Sequence, residues 1–238
     1  MKKLVVVYLL LALLATLILP VRASVTIQAS IDQNVHVVFD FVNVNSTVYE
    51  QIKHEPSLDR STIPKTIVDN LKQRNLTHVA YYDPVLIFND SDKSIHVTFY
   101  LSGLDILNFT FSKATMAKVY YVRTDWRKFH LNVTTRFSLN FTKYFGTPVA
   151  QWQKINYTDS EKKMHPAYYY NYTGPSPFDP LCYFILPITG TNVRAVKDTI
   201  IFEVPPSLED RLLNSPFLVV GAIIVVNIAI FLYRRVRK

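Results

Sequence analysis

Apolar and polar residues alternate with a period of two along much of the chain. Residues 25–31 alternate in this way, residues 32–34 are the turn formers Asp, Gln and Asn, and residues 35–41 alternate again. Because successive side chains of a strand point to opposite faces, the two runs predict a β-hairpin with one buried face. Similar apolar patterns predict further strands at 78–88, 95–101, 106–111, 118–123, 129–137, 139–144 and 199–204.

A longer apolar spacing predicts one prominent helix. Between Thr62 and Arg74 apolar residues recur every three or four positions, Ser61 or Thr62 is suited to cap the N-terminus, and Pro64 falls in the first turn. A second, short helix is predicted at 207–213. Together these patterns predict a mainly β fold: an antiparallel β-sandwich-like domain, or a pair of packed sheets, with one short covering helix.

The segment 159–187 differs from the strands because it is rich in tyrosine and proline. It predicts a long ordered loop, since a disordered linker would carry fewer aromatic residues. Tyrosine joins an apolar ring to a polar tip, so this loop is a candidate contact surface. The alternative is that the rings pack on their own domain, which a glycan at Asn171 would favour. The candidate contact residues are Tyr168, Tyr169, Tyr170, Tyr172, Phe178 and Tyr183.

Both ends of the chain carry apolar segments. Residues 1–23 combine two early lysines, an apolar run and small residues before Ser24, which predicts a cleaved signal peptide rather than an uncleaved anchor. Residues 216–233 are uncharged and long enough for a C-terminal transmembrane helix. The tail, 234–238, is basic, which favours a cytoplasmic C-terminus over a glycolipid anchor. The β-rich domain would then be residues 24–213, outside the cell.

Eight sequons of the form Asn-x-Ser/Thr lie in this domain, where chance placement would give about two. In five of them the Asn has apolar residues on both sides. On a strand the Asn and its hydroxyl partner would share one face and the apolar neighbours the other. Because a glycan needs water, we expect the asparagines to mark the solvent face. The predicted glycosylation sites are Asn45, Asn75, Asn89, Asn108, Asn132, Asn140, Asn156 and Asn171.

The net charge of +8 does not indicate a nucleic-acid partner. Of the 26 Lys and Arg residues, three precede Ser24 and four follow Tyr233, which leaves 19 in the domain against 18 Asp and Glu. The excess positive charge therefore reflects membrane topology rather than a basic binding face. A single cysteine excludes an intramolecular disulfide, and dense sequons without disulfides favour an archaeal-type envelope protein.

The sequence carries no recognisable catalytic or cofactor motif. It has no Gly-x-Ser-x-Gly elbow, no phosphate loop and no Cys-x-x-Cys. A blue-copper site would need a His and a Met after Cys182, and neither follows it. Cys182 is therefore interpreted as a small buried apolar residue, with an intermolecular disulfide as the alternative. His36 and His96 are predicted at polar-facing strand positions, and no catalytic, cofactor-binding or metal-ligating residue is assigned.

These features predict a type I, single-pass membrane glycoprotein of the cell surface. Its expected role is structural or in protein interaction, as an envelope component or an accessory subunit of a membrane complex. The expected partners are the lipid bilayer, N-glycans and another envelope or membrane protein. The alternative is a membrane-tethered extracytoplasmic enzyme or solute-binding domain, which a deep pocket with converging His and carboxylate groups would favour.

Overall fold

A computed structural model describes residues 22–132, 138–207, 221, 223–227 and 233. The predicted signal peptide up to residue 21, much of the predicted transmembrane segment and the basic tail lie outside the described residues. So does the helix predicted at 207–213, apart from Ser207. Within the described part of the chain, no helix has the length and apolar character needed to cross a bilayer. The transmembrane helix therefore stays a prediction.

Between residues 22 and 207 the described chain forms thirteen strands and three α-helices, which confirms the mainly β prediction. The helices are α1 (Ser46–Lys53), α2 (Thr62–Gln73) and α3 (Phe141–Phe145). The strands are β1 (Ser24–Ile31), β2 (Val35–Val42), β3 (Ala80–Asn89), β4 (Ser94–Ser102), β5 (Leu107–Phe111), β6 (Lys118–Arg123), β7 (His130–Asn132), β8 (Ser138–Asn140), β9 (Gln153–Thr158), β10 (Met164–Asn171), β11 (Asp179–Ile185), β12 (Thr191–Val196) and β13 (Thr199–Val204).

These strands form three sheets. The largest has seven strands in the order β3-β4-β2-β1-β11-β10-β9, the second has four in the order β12-β13-β6-β5, and β7 pairs with β8. Their pairings are antiparallel except for β1 and β11, which run parallel with Ser24 opposite Asp179. The large sheet is therefore mixed rather than antiparallel as predicted. The long stretch of chain between β1 and β11 supplies the crossover that a parallel pair requires.

One apolar core serves both larger sheets. Inward-facing residues of the seven-stranded sheet, such as Ile27, Phe39 and Phe99, belong to the same buried cluster as Ile200 and Phe202 of the four-stranded sheet. The predicted apolar stripe of α2 is buried against this cluster, so α2 is the expected covering helix. The arrangement is consistent with a β-sandwich-like fold.

Backbone hydrogen bonds close helix α2 at its C-terminus, whereas its N-terminus has no side-chain cap. Ser61 precedes it but makes no side-chain capping bond. At its C-terminus Asn75 has a φ of 64°, and the Leu76 amide donates to the Leu71 carbonyl at 3.1 Å. This left-handed residue with a six-to-one bond is the Schellman arrangement that ends many helices. Asn75 is thus a sequon asparagine with a structural role of its own.

The predicted strand 139–144 is wrong beyond Asn140, where the chain turns into α3. The Asn140 side chain accepts a hydrogen bond from the Lys143 amide, and three aromatic residues of α3 are buried. The side-chain cap and the burial of residues at helical spacing favour a helix here, although the local alternation of apolar and polar residues predicted a strand. Helix α1 was not predicted from the sequence, although the Asn45 side chain caps it by accepting hydrogen bonds from backbone amides. The predicted strand 129–137 is described only as β7.

The prediction of a long loop at 159–187 is also wrong. The segment contains β10 and β11, which lie within the seven-stranded sheet. Prolines suggested a loop because they lack an amide donor. Pro166 and Pro180 nevertheless occupy strand positions opposite Asn156 and Val25. Pairing with β1, more than a hundred residues away, stabilises β11, and a local pattern does not show such long-range contacts.

A buried polar cluster connects the segment after β6 to the β12–β13 turn. The fully buried Arg127 side chain donates to the carbonyl oxygens of Thr124 and Thr147 at 2.7 and 2.6 Å. It also donates to Asp198 Oδ1 at 2.9 Å. Burial pushes the pKa of Asp198 up, but hydrogen bonds from Lys128 and Arg127 outweigh burial and leave that pKa lowered. Nothing in the local sequence pattern indicated this cluster.

Candidate interaction surface

The outer face of the seven-stranded sheet is the side that points away from the apolar core. On β2, β4 and β3, His36, Tyr100 and Tyr82 stand opposite one another. The Tyr82 and Tyr100 rings are nearly parallel with centroids 4.9 Å apart, and the His36 ring lies 4.7 Å from Tyr100. Neighbouring rings at these distances stabilise one another beyond their burial. They form a partly exposed aromatic group on this half of the face.

A second ring group lies on the other side of β1. Tyr169 and Tyr183 pair across β10 and β11 with ring centroids 4.8 Å apart. Tyr157 of β9 lies 5.8 Å from Tyr183. Burial raises the pKa of the Tyr183 phenol, so the group stays neutral and able to donate a hydrogen bond. The two groups together are called the aromatic patch: His36, Tyr82, Tyr100, Tyr157, Tyr169 and Tyr183.

Two predicted contact residues, Tyr169 and Tyr183, thus lie on the outer face, and the other four face the core. Tyr168 and Phe178 are each only 6% exposed. Tyr170 and Tyr172 pack against inward-facing aromatic rings at centroid distances of 5.2 and 5.4 Å. Because neighbouring residues of a strand point to opposite faces, a run of tyrosines on β10 is divided between two surfaces.

An open concavity of about 870 Å³ lies at one end of the outer face, where β1 turns into β2. Its walls are the turn 32–34, the β9–β10 hairpin with Asp159, and the segment 185–189 after β11. Tyr100 and Tyr157, one ring from each group, line it. Its lining therefore combines aromatic faces with hydroxyl, amide and carboxylate groups.

His165 and Asp159 hold one wall of the concavity in place. The His165 Nδ1 atom lies 3.0 Å from the Leu186 carbonyl oxygen, and Nε2 lies 2.9 Å from Asp159 Oδ2. A carbonyl oxygen and a carboxylate oxygen both accept hydrogen bonds, so each ring nitrogen of His165 faces an acceptor. The hydrogen bond from His165, followed by one from the Lys163 amide, lowers the pKa of Asp159. Both ring nitrogens of His165 are therefore engaged by fixed partners in this wall.

The two histidines predicted at polar-facing positions both lie on the outer face, which confirms that prediction. Burial lowers the pKa of His36 below its ordinary value, so its ring is favoured in the neutral form. The His96 Nδ1 atom lies 2.7 Å from Asp40 Oδ1, and its Nε2 atom lies 2.9 Å from Ser94 Oγ. His96 is thus held by its own neighbours.

The sequon asparagines lie at the surface of the described domain. Seven are exposed and Asn89 is half-buried. The Oδ1 atoms of Asn45 and Asn140 cap helices, and that of Asn89 accepts from Ser91 Oγ at 2.7 Å. N-glycosylation attaches to the side-chain nitrogen, so an Oδ1 cap leaves the modified atom free. Occupancy of these sites stays a prediction.

The expectation that apolar neighbours of a sequon asparagine mark the core holds at Asn140 and fails at Asn108. Leu139 and Phe141 are both buried. Beside Asn108, however, Phe109 is 47% exposed. β5 is an edge strand of the four-stranded sheet, and an edge strand is covered less completely than a central one. Alternation alone does not tell an edge strand from a central strand.

A second cavity, of about 240 Å³, lies between α1, α2 and the inner face of the large sheet. Its lining is mainly aliphatic and aromatic. Two of its polar residues, Asn45 and Asp59, accept hydrogen bonds from backbone amides of their own segments. These groups are therefore occupied, and the cavity is suited to a small apolar group rather than a polar one.

Acid is expected to destabilise the domain through carboxylates whose pKa the fold lowers. The hydrogen bond from Lys53 is the main cause for Asp90, and that from His165 is the main cause for Asp159. As the pH falls, these carboxylates bind protons in the unfolded chain before they do so in the folded protein. Their stabilisation is present above about pH 4 and is lost as the pH falls through the folded pKa.

We therefore expect the midpoint of thermal unfolding to fall steeply between about pH 5 and about pH 2. Asp159→Asn should flatten this slope, because the substituted side chain cannot bind the proton. Asp69→Asn, at an exposed position of α2, is the matched control. Equal acid slopes in the wild type and in Asp159→Asn would contradict the assignment.

The described residues contain no group of three or more His, Cys, Asp or Glu side chains placed to hold a metal ion. Cys182 is fully buried, as its interpretation as an apolar residue required, and burial raises its pKa to about 12.

Comparison of the chain with protein-family models, with curated proteins and with solved structures finds no match.

Proposed function

We propose that the protein is a type I, single-pass membrane glycoprotein of the cell surface with a structural or protein-interaction role. The observation that carries this proposal is the distribution of the sequons. Seven of the eight asparagines are exposed, and they are spread over turns, helix ends and strands of one domain. A buried sequon could not accept a glycan, so this exposure supports a glycosylated exterior. In this proposal residues 1–23 are removed and residues 216–233 span the membrane.

The outer face of the seven-stranded sheet is proposed as the interaction surface. It carries the aromatic patch together with exposed apolar residues of β3, Val85 and Ile87, which are 44% and 53% exposed. Aromatic rings surrounded by polar groups are typical of contact surfaces. The partner would be an envelope protein or a subunit of a membrane complex, for which the sandwich-like domain acts as an anchored platform.

The alternative is a membrane-tethered solute-binding domain. The specific observation in its favour is the pair of cavities, one open and polar and one apolar. For an enzyme the support is weaker, because the His165–Asp159 pair is already saturated by its partners. Both proposals have the same membrane topology. They differ in whether a protein or a solute binds at the outer face.

The proposal is tested on the full chain expressed in membranes. We expect the protein to resist alkaline extraction, to carry glycans on most sequon asparagines by mass spectrometry of its peptides, and to co-purify with a membrane or envelope protein. Val85→Arg should abolish co-purification, whereas Val196→Arg should leave it unchanged, because both are exposed strand valines and only the first is on the outer face. Recovery of an extractable, unglycosylated monomer would contradict the proposal.

A further inference from the structure

The concavity at the end of the outer face has the size and rigidity of a small-molecule site. Its volume of about 870 Å³ lies within the range of roughly 300–1,000 Å³ that is usual for such sites. Three of its walls are held by backbone pairing or by the His165–Asp159 contact. Little reordering is therefore needed when a ligand binds.

Two aromatic rings supply apolar surfaces at the concavity. Tyr100 is held between His36 and Tyr82, and Tyr157 rests against Tyr183. A tyrosine offers a flat apolar face and a hydroxyl at its edge. A pyranose ring has the complementary shape, since C–H groups form its faces and hydroxyls form its rim.

Around these rings stand uncharged polar side chains. Gln28, Ser30, Asn34, Ser160 and Thr189 line the concavity, and none makes a side-chain hydrogen bond to another described residue. Amides and hydroxyls both donate and accept, as sugar hydroxyls do. The lining thus offers free partners for a ligand that carries many hydroxyl groups.

The charge of the lining argues against an anionic ligand. No Lys or Arg is among the described residues that line the concavity. Two carboxylates, Asp32 and Asp159, do line it, and Asp159 is paired with His165. A phosphate or sulfate would meet these carboxylates without a Lys or Arg to compensate, whereas a neutral ligand carries no charge that needs one.

The protein's own predicted glycans would not fill this site. None of the eight sequon asparagines lines the concavity. Asn89 and Asn171 end β3 and β10 at the opposite end of the sheet, because both strands run away from the concavity. Asn156 is next to the lining residue Tyr157 on β9, but successive residues of a strand point to opposite faces, so its side chain projects away from the outer face. The site is therefore open to a ligand from outside.

We propose that this concavity binds a neutral oligosaccharide, with sugar rings packed on Tyr100 and Tyr157 and hydroxyls bonded by the surrounding amides and hydroxyls. This inference rests on the proposed cell-surface role, because that location exposes the concavity to polysaccharides and glycoproteins. It assigns a chemical class of ligand to one end of the interaction surface.

The test uses the full chain in a detergent without a sugar headgroup, since an alkyl maltoside would compete. Isothermal titration calorimetry is carried out with maltotriose, mannotriose, cellotriose and N-acetylchitotriose, and with trigalacturonate as the anionic probe. We expect at least one neutral trisaccharide to bind with a dissociation constant below ~1 mM, and trigalacturonate to bind at least tenfold more weakly.

Two variants locate the binding site. Ser30→Lys places a cation in the concavity from an exposed position, so folding should be retained and binding of the neutral sugar should fall at least tenfold. Tyr157→Ala should have a similar effect, whereas Tyr121→Ala, at a 37% exposed tyrosine of β6, should not. Circular dichroism verifies the fold of each variant.

Absence of binding by every neutral trisaccharide, or binding that Ser30→Lys and Tyr157→Ala both leave unchanged, would overturn the inference. Neither result affects membrane retention, glycan occupancy or the Val85→Arg co-purification test. Failure of this inference is therefore distinguishable from failure of the proposed function.

Discussion

Replacing Arg127 by alanine is expected to lower the free energy of unfolding by about 3–5 kcal/mol, because it removes a fully buried side chain together with its hydrogen bonds. Arg127 has no exposed side-chain area, and its guanidinium lies 4.6 Å from the centroid of the Trp152 ring. The substitution removes the side-chain donor to the Thr124 and Thr147 carbonyl oxygens and opens a void beneath the indole. A domain of this size is stabilised by only about 5–15 kcal/mol, so the loss is large.

The measurement is chemical denaturation of the full chain in detergent micelles, followed by tryptophan fluorescence. Arg127→Lys should recover only part of the loss, because an ammonium group cannot reach both the Thr147 carbonyl and Asp198 in the same geometry. Arg60→Ala, at an exposed position before α2, is the control and should change the free energy of unfolding by less than about 0.5 kcal/mol. An Arg127→Ala variant as stable as Arg60→Ala would show that the buried cluster contributes little.

Replacing Phe39 by alanine is expected to cost a similar amount, about 3–5 kcal/mol. Phe39 has no exposed area and lies at the centre of the aromatic core. Its ring centroid is 6.0 Å from those of Phe99 and Phe129 and 5.6 Å from that of Phe141. The substitution would leave a cavity that Phe99 of β4, Phe129 before β7 and Phe141 of α3 cannot fill without leaving their own contacts.

Phe109→Ala provides the matched comparison, because this phenylalanine lies on an edge strand and is 47% exposed. We expect it to cost less than about 1 kcal/mol. Phe39→Leu should lie between the two, since leucine retains part of the buried volume. Equal losses for Phe39→Ala and Phe109→Ala would contradict the assignment of Phe39 to the centre of the core.

Local patterns in the sequence were sufficient for most of the early strands and for α2. The hairpin of β1 and β2 follows directly from alternation, because each strand has one buried face and its neighbour along the chain is its partner. The strand β11 could not be predicted in this way. Its parallel pairing with β1 depends on residues far away in sequence. Helix α3 was not predicted because its aromatic residues continue the alternating pattern of a strand. The feature that indicates the helix is the side-chain cap by Asn140.

The candidate surface was only partly visible in the sequence. The sequence marked the tyrosines of β10 and β11 as candidate contact residues. Which of them face outward and which face the core is determined by the register of the sheet. Tyr82 and Tyr100 joined the aromatic patch only because β3 and β4 place them side by side. The concavity brings together two hairpins and the end of β11, and no local motif links these segments.

The sequence by itself determined the mainly β composition, the position of α2 and the location of the eight sequons. These properties depend on residues close together along the chain, through strand alternation, helical spacing and short motifs. Only the tertiary structure decided which tyrosines face outward, that the buried Arg127 pairs with Asp198, and where the concavity lies. Those features arise from long-range pairing and from burial, which combine distant residues whose contacts no local pattern encodes.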